Sequence, residues 1–328
     1  MSRKGNSGTP VVSVILPTLN RDDFLREAIR TVNEQTYGGV ELIVVDDSER
    51  AIRDPMADLE DGAIERLEYV HGEEHGSAGA ARNTGIRKAQ GEFIAFLDDD
   101  DLWKETKVER QLDAFDRRGE HVGVVHTGQR YVDEEGRTTA IENPMIRGDV
   151  TGDVLLGAPV NPFSCAMVRA DTIREVGLID ERLHFWEDRE WFLRLSRKCV
   201  FESIPDPLVI RRVGDYDRLS HDFESRVTAS RLFLDKHRSL ARSYGDEHVR
   251  RLEAWLARGV AVAAIENGYY WESIRFLVRA IRHAPLEMQS YLYLLLALGG
   301  HYTYRPAQQA RRRFVNWRRS GEDVIAGS

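Results

Sequence analysis

The first half of the chain sets short apolar runs between stretches of helical periodicity. Residues 11–16 form a β-branched run closed by Pro17, a buried strand followed by a breaker. Phe24, Leu25, Ala28, Ile29 and Val32 then recur at the spacing of one helix face, with Asp22 or Asp23 as N-cap. Further strands are predicted at 42–45, 67–70, 93–97 and 122–126, and helices at 78–89 and 106–118. Apolar strands alternating with helices predict a doubly wound, mostly parallel α/β sheet.

The pattern changes after residue 128. Asp133, Glu134, Glu135 and Gly136 read as a hairpin turn between short strands. A strand is predicted at 164–168, an amphipathic helix at 187–197, and two closing strands at 199–204 and 208–212. From about residue 222 the strands stop. Helices are predicted at 223–243, 246–267, 270–283 and 286–298, the middle ones resembling one tetratricopeptide-type hairpin or an ordinary helical hairpin. The expected organisation is a flexible start at 1–10, an α/β domain at 11–215 and a helical region at 216–328.

Composition narrows the classes. The 328 residues are 42% hydrophobic and 30% charged, an ordinary globular balance with room for a large core and a second unit. A net charge of −8 leaves no basic footprint for nucleic acid. Cys165 and Cys199 lack partners at ligand spacing, so neither zinc nor a disulfide is expected and a reducing cytoplasm fits. The polar, Gly-rich first ten residues carry no apolar h-region, so no signal peptide is expected. The longest apolar stretch, 291–298, falls far short of the roughly 20 residues a membrane helix needs. Residues 304–319 mix six arginines with Tyr304, Phe314 and Trp317. They predict either a peripheral contact with an anionic membrane or a helix packed on the domain.

The chemistry gathers where predicted strands end, since parallel sheets bind ligands at the carboxyl ends of their strands. The first strand ends at Pro17, Thr18, Leu19, Asn20 and Arg21, the second at Asp46 and Asp47, and the fourth at Asp98, Asp99, Asp100 and Asp101. Four adjacent carboxylates repel one another unless a cation neutralises them, and oxygen ligands suit Mg²⁺ or Mn²⁺. Asp47 suits a nucleobase N–H, Asp98 or Asp99 a ribose hydroxyl, Asp100 a metal and Asp101 the cap of the following helix. A solvated capping loop is the alternative. Gly79, Ala80, Ala81, Arg82 and Asn83 open a predicted helix with small residues and an arginine that either meets a phosphate or forms a structural ion pair. Glu187 and Asp188 either cap a helix or supply a general base.

These elements occur in order as Val12-Ser13-Val14-Ile15-Leu16-Pro17-Thr18, Val44-Val45-Asp46-Asp47-Ser48, Gly79-Ala80-Ala81-Arg82-Asn83 and Phe96-Leu97-Asp98-Asp99-Asp100-Asp101-Leu102-Trp103. Together they resemble the glycosyltransferase family 2 signature with its Asp-X-Asp element. Trp186-Glu187-Asp188 resembles the family's later Glu-Asp element. The resemblance covers roughly residues 11–213. It implies a GT-A fold, a nucleotide-diphosphate sugar donor (a UDP-sugar above all), Mn²⁺ or Mg²⁺, and inversion at the anomeric carbon. The acceptor would be a glycan, a protein or a lipid-linked sugar. By this resemblance Pro17, Thr18, Asn20, Asp47, Arg82, Asp98 and Asp99 would meet the nucleotide sugar, Asp100 the metal, and Asp188 would be the base. Trp186 and Glu187 would lie on the acceptor side. No Gln-Xaa-Xaa-Arg-Trp element is present, so a processive polymer synthase is not expected. The competing readings are a sugar nucleotidylyltransferase and a non-catalytic helical scaffold.

Overall fold

The structure is a computed structural model that describes residues 11–52, 55–56, 59–72, 76–143, 146–213, 223–300, 302–304 and 306. The expected flexible start and all of the arginine-rich tail except Tyr304 and Pro306 lie outside the described residues. The chain divides into two compact units near residue 214, with residues 155–157 grouped with the second.

In the first unit β1 (Val12–Thr18), α1 (Asp22–Asn33), β2 (Val40–Asp46), β3 (Ile64–His71), α2 (Ala78–Lys88) and β4 (Phe93–Phe96) follow in order. β1 runs parallel to β2 and to β4, in the registers Val12↔Val40 and Ile15↔Phe96, and β2 runs parallel to β3. β2 and β4 are buried along their whole length, as expected of parallel strands covered on both faces. Parallel pairing stops at β4. The chain continues through β5 (Asp101–Trp103), α3 (Lys107–Arg118), β6 (Val122–Val132), β7 (Thr138–Glu142) and α4 (Thr151–Leu155). A 3-10 turn at Phe163–Cys165 leads into β8 (Ala166–Arg169), α5 (Ala170–Val176), α6 (Glu187–Ser196) and β9 (Val200–Arg212). The sheet order is β3-β2-β1-β4-β8-β6-β9-β5, with β7 on β6 and β8 antiparallel to both its neighbours.

The structure moves four expected features. Arg21, not an aspartate, is the N-cap of α1, and Asp22 and Asp23 lie in its first turn near the positive end of the dipole. Asp101 does not cap the next helix. It starts β5, paired with Arg211 of β9, and Thr106 is the N-cap of α3. The strand expected from 164 begins only at Ala166, because the turn after Pro162 occupies Phe163–Cys165. The two closing strands are one, β9, whose pairing shifts opposite Gly128 near Pro205 and Pro207. Proline lacks the N–H a regular ladder needs, so a register shift accommodates the pair.

α2 lies close enough to β1 that side-chain size decides its seat. A Cβ on Gly85 would stand 2.4 Å from Cγ2 of the fully buried Ile15. A second network closes the other end of the sheet, where buried Glu41 accepts from Ser13 Oγ and from the Gln90 N–H at 2.9 Å and pairs with Arg66 at 2.9 Å.

In the second unit α7 (Phe223–Ser243), α8 (Asp246–Glu266), α9 (Tyr270–His283) and α10 (Met288–Leu298) are described. Ala261 and Ile265 of α8, Leu277 of α9 and Ala297 of α10 form a core that also buries Tyr304. Tyr304 therefore faces inward, with its hydroxyl 3.5 Å from Glu266, rather than toward a membrane.

Gly85→Ala is expected to lower the unfolding free energy by about 1–3 kcal/mol, the cost of overpacking a filled core. Urea denaturation checks this, and a midpoint unchanged from the parent would place α2 farther from β1 than the geometry gives.

Candidate active site

Three loops converge at the carboxyl ends of β1, β2 and β4. The β1 and β2 loops are laced together: the Asp47 N–H donates to the Thr18 carbonyl at 3.0 Å, and the Asn20 N–H donates to Ser48 Oγ at 2.7 Å. Asn20 holds φ at 54°, a left-handed conformation that asparagine tolerates better than most residues, and its Oδ1 accepts from the Glu49 N–H at 3.3 Å. Asp46 is fully buried and structural. It accepts from the Ser48 N–H at 2.9 Å and from the Tyr69 hydroxyl. Burial and then the Asp46 hydrogen bond push the Tyr69 phenol up to about 12.

The aspartate quartet is divided by its partners. Asp99 turns toward β1, where its carboxylate accepts from Thr18 Oγ1 at 2.8 Å and pairs with Arg21 at 3.1 Å. Burial raises its pKa to about 6, ahead of the opposing Thr18 and Arg21 contacts. Asp98 pairs with Arg82 Nη2 at 2.5 Å, Asp100 with Arg21 at 3.5 Å and Asp101 with Arg211 at 3.3 Å. One oxygen each of Asp98, Asp100 and Asp101 lie within 4.8 Å of one another. Asp101 is 1% exposed, and its Oδ2 has no hydrogen-bond partner among the described residues. An orphaned buried carboxylate oxygen beside two further carboxylates fits a hard divalent cation held by oxygen ligands.

The segment carrying these groups is fixed from below. The Asp98 N–H donates to Ser164 Oγ at 3.1 Å, and the Trp103 indole N–H donates to the Ser164 carbonyl at 3.0 Å. The Lys107 ammonium, pushed down to about 7 by burial, sits 3.7 Å from the Trp103 ring centre and donates to Gln111 at 2.8 Å.

Arg82 joins this cluster to α6. Its side chain is buried, with Nη2 on Asp98, Nη1 3.6 Å from Glu187 and the guanidinium 4.3 Å over the Phe163 ring. Burial works against its charge, but Asp98 and then Glu187 raise its pKa on balance. One residue along α2, Asn83 donates to the Ile179 carbonyl at 2.9 Å and to Glu181 at 2.8 Å, and accepts from the Ile179 N–H at 2.9 Å. Gly79 leaves room for this approach, since its Cβ would stand 3.3 Å from Ile179. Arg194 holds the segment from behind, donating to the carbonyls of Val176 and Leu178 at 2.9 and 2.6 Å. Burial and the neighbouring Asp188 charge raise the Glu187 pKa, and Arg82 opposes them. Asp188, the second residue of α6, is partly exposed and accepts from the Arg189 N–H at 2.6 Å. Trp186, the N-cap, holds φ at 61°. With Asn20 it is one of two non-glycine residues at positive φ among the described residues, and both border the acidic cluster's loops.

Side-chain contacts thus form two groups, Thr18, Arg21, Asp99 and Asp100 in one and Arg82, Asp98 and Glu187 in the other, which meet where oxygens of Asp98, Asp100 and Asp101 lie within 4.8 Å of one another, with Asp188 beside Glu187. Pro17 and Asp47 stand at the ends of β1 and β2, and Asn20 bridges their loops. Sequence reasoning placed Arg21 at the end of the first strand without a role, and missed Phe163, Ser164 and Arg211. None sits in a motif with the quartet, and only pairing across the sheet and packing under it reveal them.

A family model, Glycosyl transferase family 2, matches residues 13–177, about half of the chain, and the chain belongs to that family. Its architecture is the GT-A fold of glycosyltransferases. An uncharacterized glycosyltransferase of Rickettsia typhi is 26% identical over 251 residues, covering 71% of this chain and 77% of that protein. WfgD of Escherichia coli, a UDP-Glc:α-D-GlcNAc-diphosphoundecaprenol β-1,3-glucosyltransferase, is 40% identical over 105 residues, 31% of this chain and 40% of its own length. The chain spans a third of the length of another relative, an uncharacterized glycosyltransferase of Rickettsia felis, at 33%. The solved structure of a mannosyltransferase from Pyrobaculum calidifontis, in complex with GDP-Man and Mn²⁺, is similar over 94% of this chain and 86% of that one. Its TM-score is 0.55 at 18% identity, which shows a shared fold.

Arg82→Met removes one partner of two carboxylates. A loss of about 3 kcal/mol in unfolding free energy is expected, the low end for a broken buried pair because Asp98 and Glu187 are partly exposed. Chemical denaturation with Arg82→Lys as a charge-retaining control measures it, and a stability equal to the parent would dismiss the bridge as a structural element.

Proposed function

We propose that this chain transfers a sugar, with inversion, from a nucleotide-diphosphate sugar to a hydroxyl of a glycan or lipid-linked acceptor. Family membership favours glycosyl transfer over the nucleotidyl transfer weighed above. The name of the E. coli relative, a UDP-Glc enzyme acting on a diphosphate-linked lipid, supports a UDP-sugar donor and a lipid-linked acceptor. The observation that carries the mechanism is the Arg82 bridge. It engages Glu187 and leaves Asp188, next along the same helix, as the carboxylate assigned to take the proton from the acceptor hydroxyl.

Asp98, Asp100 and Asp101 would hold Mn²⁺ or Mg²⁺, with Asp100 the principal ligand. When bound, the cation supplies charge neutralisation for the departing diphosphate. Thr18 and Asp99 meet the ribose side, with Pro17, Asn20 and Asp47 forming the nucleoside wall between β1 and β2. Arg82 keeps Asp98 and Glu187 in register across the donor. Trp186 and Glu187 line the acceptor side, where a left-handed Trp186 turns the chain into α6. Asp188 accepts the hydroxyl proton as that oxygen closes on the anomeric carbon, and the nucleoside diphosphate departs from the opposite face. The GT-A unit is assigned to residues 11–215 and the helical region to 216–328, with a cytoplasmic placement.

Two experiments test this reading. Asp188→Asn is expected to cut turnover by about 10²–10⁴-fold while donor affinity stays near the parent value, and parental turnover would remove Asp188 from the base role. In calorimetry with a UDP-sugar, Asp100→Ala is expected to lose the gain in donor affinity that Mn²⁺ gives the parent. Donor binding that remains Mn²⁺-dependent in this variant would sink the ligand assignment.

A further inference from the structure

α9 and α10 each present an exposed row that the catalytic reading does not use. On α10, Met288, Leu292 and Leu295 recur at one-face spacing, with Leu298 beside them, and they are 58–74% exposed. Leu286 just before the helix is 92% exposed. At about 100° per residue, the four helical positions span an arc of roughly 120°, the width of an apolar face that is normally buried. α10 carries no charged residue. A soluble surface rarely leaves such a face bare.

The partner helix supplies the complementary chemistry. On α9, Trp271, Arg275, Arg279 and Arg282 recur at intervals of four, four and three residues, and all are exposed. No salt bridge involving these arginines is made among the described residues. The two helices share the core of Leu277, Ala297 and Tyr304. They meet where α9 begins and α10 ends, since a Cβ on Gly300 would stand 3.7 Å from the Tyr270 ring. Exposed Trp271 and Tyr302 lie at that end.

We propose that the α9–α10 hairpin docks on an anionic lipid bilayer, with the α10 row entering the boundary between headgroups and acyl chains and the α9 arginines meeting lipid phosphates. Amphipathic aromatics at one end suit the same interface. None of the described helices is long and apolar enough to cross a membrane, so the surface lies on the bilayer rather than spanning it. A second copy of the chain is the rival occupant. It would bring the α9 arginine rows of two copies near one another with no acid on α10 to meet them, whereas lipid phosphates offer the arginines counter-charges. The proposal goes beyond glycosyl transfer and does not depend on it.

Cosedimentation of the full chain with vesicles of phosphatidylcholine and phosphatidylglycerol in equal parts tests it. Binding is expected, at least tenfold stronger than to phosphatidylcholine alone. The Arg275→Ala, Arg279→Ala, Arg282→Ala triple variant should bind the mixed vesicles roughly a hundredfold more weakly, at about 1 kcal/mol per basic residue. Leu292→Glu with Leu295→Glu should abolish binding; both sites are exposed, so the fold should hold. Donor hydrolysis without vesicles should match the parent in both variants, which separates failure here from failure of the catalytic reading. No binding by the parent, or binding that both variants retain, overturns the proposal. So does a parent dimer, seen by light scattering, that the glutamates dissolve while vesicles go unbound.

Discussion

A guanidinium taken out of water costs several kcal/mol unless carboxylates compensate it, and a carboxylate crowded by others costs likewise. Arg82 and the acidic cluster solve each other's problem. Asp98 is one of four consecutive carboxylates, and Glu187 sits against Asp188. One buried cation on a helix between them lowers both costs. It also fixes the distance between the end of β4 and the start of α6. Everything the site needs from the second half of the first unit hangs on that span.

The sheet is arranged to permit it. β1 to β4 form an ordinary parallel half, in which β2 and β4 are buried throughout and β3 is the more exposed edge. β8 then enters antiparallel between β4 and β6, and its preceding turn places Phe163 beneath Arg82 and Ser164 beneath Asp98. The short β5 pairs with the end of β9 and draws Asp101 inward against Arg211. Four consecutive aspartates therefore face three directions. A strand's side chains alternate, and β5 begins within the quartet, so neighbours that look equivalent in sequence cannot be equivalent in space.

The parallel half was legible in the sequence because β1, β2 and β4, buried almost throughout, read as nearly continuous apolar runs interrupted within the strand by Ser13 and Glu41 alone. The site was legible to the extent that its acids follow such strands. Beyond that, legibility failed for physical reasons. Arg82 could be placed on a helix, but its partners lie 16 and 105 positions away, and no local spacing encodes that. β5 is three residues long and opens with an acid, so it imitates a capped helix start. α10 shows the reverse failure. When nearly every position of a segment such as 291–298 is apolar, the period carries no phase, and the bare side of a helix reads the same as the buried one.

Arg82 and Asn83 are adjacent in sequence, and both reach across to residues 179–187. The opening of α2 and the loop into α6 consequently form one unit of exchange. Recombination between relatives that carried either segment alone would separate a guanidinium from its carboxylate and an amide from its backbone partners at a stroke. Crossovers are tolerable on either side of this pair of segments and not between them, so the two must drift together although nearly a hundred residues part them.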